Sequence, residues 1–346
     1  MTDTATVLQL RDTCKLVADA LDGIIKVLRH LSLTYADTPM AARSVLQHAV
    51  PITFGFKMAR LLATFQRHKK RLAEILPRLL VLEFGGAAGT LAAIANTGVA
   101  FQVQEDLAKE LGLSPPDIAW HTERDRIAEV GGFFALVTAT CAKFALDVRL
   151  MMQTEVGEVS EAYAPNRGCS STMPQKRNPV SSAYITTMAS TVKQLSTALY
   201  DAMVGEHERS SGPWEIEWIV LPQISILTHA TLQHTLSLLR GLEVHPEMMK
   251  ANLDHTKGAI VSEAVMMALG KKVGHQAARD LLYDVCRLLS QAGSSTSLFD
   301  LLLENKVVQE SGIGAEELKA ICNPSNYVGL SREMVEKVVA SCIVEI

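Results

Sequence analysis

The chain has 346 residues, which sets a soft expectation of about two domains. Its 33 Lys and Arg stand against 37 Asp and Glu, a formal charge of −4, so no bulk attraction to phosphate backbones or anionic lipid arises and neither nucleic acid nor membrane is expected as a partner. Hydrophobic residues make up 48% and charged residues 20%, which excludes general disorder and supplies apolar surface for a large core.

The N-terminal segment carries the clearest periodic signal. Val7, Leu10, Cys14, Val17, Leu21, Ile24, Leu28 and Leu31 alternate spacings of three and four, which predicts one long helix with an apolar seam. A second amphipathic run extends from about Pro51 through Leu61, Leu62, Phe65, Leu72 and Ile75 towards Pro77. The stretch Phe84 to Gln104 is uncharged, but its Gly, Asn, Gln and Thr residues argue against a membrane span. Within it, Gly85-Gly86-Ala87-Ala88-Gly89-Thr90 lacks the lysine of a phosphate-binding loop, and its small residues predict close helix packing.

No proline occurs between Pro116 and Pro165, and Ile127 to Met152 is rich in Ala, Leu, Phe and Met, which predicts a helix of many turns. Glu155 and Glu158, three apart, are placed on one helical face. Helical spacing returns at Ile185, Met188, Val192, Leu195 and Leu199 and again from Ile224 to Leu242, while period-two alternation is almost absent. The fold class is therefore all-α, a long-helix bundle over 1–245. From Pro246 the pattern shortens, with Gly258, Gly270 and Gly274 as punctuation, which predicts a small helical C-terminal domain over 246–346. Seams too apolar for one chain predict oligomerisation.

Six cysteines without a CxxC pair and no opening signal segment fit reduced thiols, so a cytoplasmic location is expected. No GxGxxG, HExxH or paired Cys/His spacing occurs, so no metal ion or dinucleotide cofactor is expected.

Chemistry concentrates in Gly168-Cys169-Ser170-Ser171-Thr172-Met173-Pro174-Gln175-Lys176-Arg177-Asn178-Pro179, a polar stretch between two long helical patterns. It supplies hydroxyls, an ammonium, a guanidinium and an amide, the groups needed to hold a polyanion and move a proton. This string closely resembles the GSSxMPxKxNP signature of the fumarase/aspartase superfamily. Further segments resemble the bacterial 3-carboxy-cis,cis-muconate cycloisomerases: Val7 to Asp12, Leu46-Gln47-His48-Ala49 with Pro51 to Gly55, Phe84 to Leu91, Trp120 to Arg126, Gln153 to Val159, and Glu206-His207-Glu208-Arg209 with Trp214 and Glu217-Trp218.

The resemblance implies a homotetramer of long-helix bundles whose active sites combine segments of three subunits, acting on a small polycarboxylate without metal or organic cofactor. It implies closure of a tricarboxylate diene to a γ-lactone, in the catabolism of aromatic compounds. Ser170 matches the catalytic serine, which acts as a base only if its alkoxide is stabilised. Lys176 and Asn178 match residues that hold a substrate carboxylate and stabilise the developing aci-carboxylate, in the manner of an oxyanion hole. Ser171, Thr172 and Met173 match the same loop and are candidates for binding substrate, and Gln175 matches it as a residue that shapes the loop. Arg124, Arg126 and Arg209 are candidates for the remaining carboxylates, because arginine presents a bidentate fork. His48 is a candidate catalytic residue, Gln47 beside it a candidate for binding substrate, and His121 a further candidate for the site, with a buried structural histidine as the rival reading for each histidine.

Three departures accompany the resemblance. Val45 stands where many superfamily members have a histidine, which points away from adenylosuccinate lyase chemistry and towards cycloisomerases. Cys169 stands where a glycine usually precedes the two serines. Met1-Thr2-Asp3-Thr4-Ala5 looks like the tail of the family's first signature segment, so a family N-terminal domain of about a hundred residues, with its Thr/Ser-rich substrate-binding turn, is expected to be missing. The alternatives to a cycloisomerase are an adenylosuccinate-lyase-like enzyme, another polyacid lyase or decarboxylase, and a non-catalytic remnant.

Overall fold

The computed structural model describes residues 1–162, 172–173, 175–291 and 296–342. The elements run α1 (Thr2–Thr34), β1 (Pro39–Ser44), β2 (Gln47–Thr53), α2 (Phe54–Leu79), α3 (Ala100–Leu111), α4 (Asp125–Met151), β3 (Val159–Ser160), α5 (Val180–Ala202), α6 (Glu215–Arg240) and β4 (Glu243–Val244). Seven shorter helices follow: α7 (Pro246–Leu253), α8 (Ser262–Val273), α9 (His275–Gln291), α10 (Leu298–Leu303), α11 (Lys306–Glu310), α12 (Ala315–Ile321) and α13 (Ser331–Ala340). The molecule is helical, as the periodicity predicts. The expected seam of α1 is buried from Val7 to Leu31, because a three–four spacing lines one side of a helix with apolar side chains.

Contacts divide the chain into two compact units. The first comprises Met1–Val27, Ala63–Leu150 and Glu161–Leu242; the second comprises Leu28–Leu62, Met151–Ser160 and Glu243–Ile346. The second unit thus resumes at Glu243, next to the expected junction at 245, and also takes in residues 28–62 and 151–160, which the sequence reading assigned to the bundle.

In the first unit, α5 and α6 pack along their lengths. Ile185, Ala189, Val192 and Leu199 of α5 are buried, as are Val220, Leu221, Ile224, Leu232 and Leu239 of α6. Buried threonines within α6 satisfy themselves locally: Thr231 donates to Leu227 O at 2.7 Å and Thr235 to Thr231 O at 2.8 Å. Among the described residues α4 alone is long and apolar enough to cross a membrane, and 56% of that apolar window is buried inside the protein.

The Gly85–Thr90 run forms a loop, which corrects the expectation of helix–helix packing. Gly86 and Gly89 have φ of 81° and 85°, and a Cβ on Gly85 would lie 2.8 Å from Gly89 Cα. Left-handed backbone and close chain approach therefore account for these glycines.

The second unit has its own core, built from Leu253, Val261, Val265, Leu269, Leu282, Leu298 and Leu302 with Ala41 of β1. Its β1–β2 hairpin ends where the sequence reading placed the start of a helix. Pro51 lies in β2, and the helix starts at Phe54, where the Thr53 hydroxyl accepts the Phe56 N–H at 3.1 Å. The hairpin pairs Ser44 with Gln47 and Arg43 with His48, and an irregularity lies between Ala41 and Arg43. Both turn residues have positive φ, 52° at Val45 and 65° at Leu46, the backbone that a two-residue hairpin of this hand requires.

Candidate active site

His48 follows the hairpin turn directly. Its strand neighbour Arg43 forms a bidentate pair with Glu158, at 2.8 and 2.7 Å. Glu158 is fully buried and also accepts the Asn252 amide at 2.9 Å. Residues 152–157 are turn and irregular backbone, so the expected helical face shared by Glu155 and Glu158 does not exist; Glu158 instead anchors the hairpin. The His48 ring meets His255 edge-on at 6.3 Å between centroids, and its Nδ1 is buried without a hydrogen-bond partner among the described residues. Burial, then Arg43, lowers the His48 pKa; Glu158 opposes this and His255 adds to it. His48 is thereby biased to the neutral imidazole. Gln47 beside it is exposed.

Within the first unit, three of the segments singled out in the sequence converge. Arg209 donates from Nε to Ala87 O at 2.9 Å and from Nη2 to Gly86 O at 2.8 Å. His121 Nε2 lies 3.2 Å from the same Gly86 O, and the Thr122 hydroxyl donates to His207 O at 3.0 Å. The glycine loop, Trp120 to Arg126 and the Arg209 segment are thus one assembly. Arg209 spends one edge of its guanidinium gripping the loop, where the sequence reading had it holding a substrate carboxylate.

Arg124 is corrected outright. Its side chain is 2% exposed and its guanidinium is bound by Glu217, at 2.8 Å from Nε and 2.5 Å from Nη2, and by Asp3 at 2.9 Å. Burial would lower its pKa, but the two carboxylates reverse that and raise it. A guanidinium saturated by two buried carboxylates has no fork for a ligand, so Arg124 is a structural cation. Arg126, also a sequence candidate, stacks over the Trp120 ring at 4.6 Å, and burial lowers its pKa.

Below this assembly Glu83 is 1% exposed and accepts the Trp120 backbone N–H. His121 Nε2 lies 3.3 Å from Glu83 Oε1, and its Nδ1 lies 3.7 Å from Asp3 Oδ2. Burial raises the Glu83 pKa, partly opposed by the Trp120 N–H. His121 therefore fits the rival structural reading, a histidine held among buried carboxylates.

The signature loop is described only in part. Ser170 and Ser171 lie outside the described residues. Thr172, Met173 and Lys176 are exposed, and Asn178 is half-buried just ahead of α5. Beside them stands Glu161, 8% exposed, whose carboxylate accepts the N–H groups of Ser181 and Ser182, at 3.0 and 2.8 Å, and the Ser182 hydroxyl at 2.7 Å. Arg177 donates to the Glu161 carbonyl. Lys176, Asn178, Arg124 and Arg209 belong to the first unit, and Gln47 and His48 to the second. The sequence reading missed Asp3, Glu83 and Glu161 altogether, although Glu83, flanked by Leu82 and Phe84, is an acid in an apolar run that signals a buried partner.

The described side chains contain no cluster of three or more His, Cys, Asp or Glu residues able to hold a metal ion. The first unit offers an ammonium and an amide at the start of a helix and a gripped glycine loop; the second, taken by itself, offers an imidazole whose pKa burial lowers. These are groups for holding anions and moving protons.

Comparison with known proteins agrees. A lyase family matches residues 1–193, and an adenylosuccinate lyase C-terminal family matches residues 258–338. The chain is 51% identical over 340 residues to trans-aconitate decarboxylase 1 of Mycosarcoma maydis, covering 98% of this chain and 68% of that protein. It is 43% identical over 338 residues to a 3-carboxy-cis,cis-muconate cycloisomerase of Pseudomonas aeruginosa, covering 98% and 72% respectively. The crystal structure of 3-carboxy-cis,cis-muconate lactonizing enzyme from Pseudomonas putida superposes with a TM-score of 0.90 at 40% identity, over 98% of this chain and 74% of that one. A signature string, a helical architecture and two matching families lead to one conclusion: the chain belongs to the fumarase/aspartase superfamily of lyases.

Proposed function

We propose that the protein transforms a small unsaturated tricarboxylate by proton transfer next to a carboxylate. The observation that carries this reading is the Lys176–Asn178 pair, held at the start of α5 within the signature string. In any reaction of this type, negative charge builds on a carbon beside a carboxylate, and an ammonium with an amide donor aimed at the resulting aci-carboxylate lowers that barrier. Ser170 takes or returns the proton, with its alkoxide stabilised by these donors.

Two reactions fit the same machinery. In lactonisation of 3-carboxy-cis,cis-muconate to 4-carboxymuconolactone, a carboxylate oxygen adds to the diene and the adjacent carbon gains a proton. In decarboxylation of trans-aconitate, a C–C bond breaks, carbon dioxide leaves, and the electron pair it leaves behind takes up a proton. The sequence reading favoured lactonisation, a step of aromatic catabolism; the higher identity to the decarboxylase, 51% against 43%, favours decarboxylation as the second reading. A homotetramer with sites shared between subunits, in the cytoplasm, completes the proposal.

The test presents both tricarboxylates to the purified chain, reading carbon dioxide release from one and loss of diene absorbance from the other, with Ser170→Ala as control. Turnover of one substrate, abolished in the control while the fold persists, is the expected result. A folded oligomer that turns over neither would sink the reading.

A further inference from the structure

Glu161 and Arg177 lie close together in the first unit. The Glu161 carboxylate accepts the first-turn N–H groups of Ser181 and Ser182 and the Ser182 hydroxyl, while the Arg177 guanidinium donates to the Glu161 carbonyl. Their bonds therefore join residue 161 to residues 177, 181 and 182, across the segment that contains Ser170. A buried carboxylate that accepts three hydrogen bonds is a strong anchor, since bonds to a charged acceptor are shorter and stronger than neutral ones. Arg177 stands between Lys176 and Asn178 on non-helical backbone just ahead of α5. The bond from Arg177 to residue 161 therefore fixes the short stretch of backbone that carries both Lys176 and Asn178.

We propose that Glu161 and Arg177 form a clasp that positions Lys176 and Asn178 for charge stabilisation, and that both are positioning residues of the reaction. The proposal rests on the functional reading above, in which Lys176 and Asn178 act on the substrate. The α5 N-terminus is occupied by Glu161, so the clasp also removes that helix end as a competing anion site. Because Lys176 and Asn178 stabilise charge that appears only in the transition state, loosening the clasp is expected to act on kcat more than on KM.

The test uses Glu161→Gln and Arg177→Met, measured with whichever tricarboxylate the chain turns over, alone and in an Asn178→Ala background. The expected result is a kcat lower by roughly 10- to 100-fold, the scale of a misplacement near 1 Å, with KM changed by less than about threefold. In the Asn178→Ala background the same substitutions are expected to cost much less, because residues acting through one another are non-additive. Both single variants keeping kcat within about twofold of wild type would overturn the proposal. So would losses that simply add, which is the behaviour of a general structural anchor. Should Glu161→Gln fail to fold, Arg177→Met carries the test, since Arg177 is only half-buried. Full activity in Lys176→Met and Asn178→Ala would overturn the functional reading itself, and the clasp with it; that outcome is read on those two variants alone and is distinct from failure of the clasp.

Discussion

Arg124 shows why residue identity alone misleads. Within Trp120 to Arg126 it looked like a substrate ligand, yet Asp3 and Glu217, each far away in sequence, close on it in the interior. A buried pair of this kind adds little net stability over an apolar replacement of both partners, but removing one partner strands the other charge in a poor solvent. Arg124→Met is therefore expected to destabilise the fold by about 3–5 kcal/mol in a denaturant titration, because it leaves two buried carboxylates unpaired. A loss below about 1 kcal/mol would show that water reaches Asp3 and Glu217 and that the pair is not structural. Lys176 and Asn178 differ in that a contiguous string carries them, so their family is readable in one dimension, and their role is the one proposed above.

At the level of single elements, the β1–β2 hairpin and helix α2 carry testable strain and charge. Val45 is a β-branched residue at φ 52° and is 93% exposed, so no packing in the chain compensates its left-handed backbone. That conformation costs an L-residue roughly 1–2 kcal/mol, and asparagine tolerates it better. Val45→Asn is expected to raise stability by about 1 kcal/mol, read as a higher unfolding midpoint. An unchanged or lower midpoint would mean that the tip is held by something other than its own turn. In α2, His68 is 3% exposed between the rings of Phe65 and Phe133, with Nε2 2.8 Å from the Thr140 hydroxyl. Burial, then Arg71 and Arg67, pushes its pKa down to about 4. The unfolded chain protonates this ring near pH 6.5, whereas the folded one stays neutral until about pH 4. Its contribution is thus complete above pH 6.5 and lost as pH falls towards 4, on the order of 3 kcal/mol. His68→Gln should flatten the stability curve over that window; a parallel curve would exclude His68 as its source.

On the scale of the whole molecule, apolar side chains remain on the long helices of the first unit. Leu136 is 54% exposed, Tyr200 55%, Trp218 52% and Ile226 69%. Leu136 and Tyr200 line one surface pocket and Trp218 and Ile226 another, and apolar side chains grouped at a surface are the mark of a face that another chain covers. The expected state is a homotetramer, checked by sedimentation or native mass spectrometry at micromolar concentration. A stable monomer would contradict both the shared-site arrangement and the reason these side chains are exposed.

The helices and the signature loop were legible because each is written in local order: an apolar seam at three–four spacing dictates α1, and twelve consecutive residues dictate the family of the loop. The hairpin at 39–53 escaped because its two-residue turn uses Val45 and Leu46, residues with no turn propensity of their own. The glycine loop was misread because small residues serve close packing and left-handed turns equally well, and only backbone angles separate the two. Amino-acid order by itself determined the fold class and the family to whose signature Lys176 and Asn178 belong. Tertiary structure alone decided that Arg124 is a paired interior cation, that Arg209 grips a loop and that Glu161 braces the α5 N-terminus. Those assignments depend on which distant charges share a low-dielectric interior, and linear spacing carries no record of that.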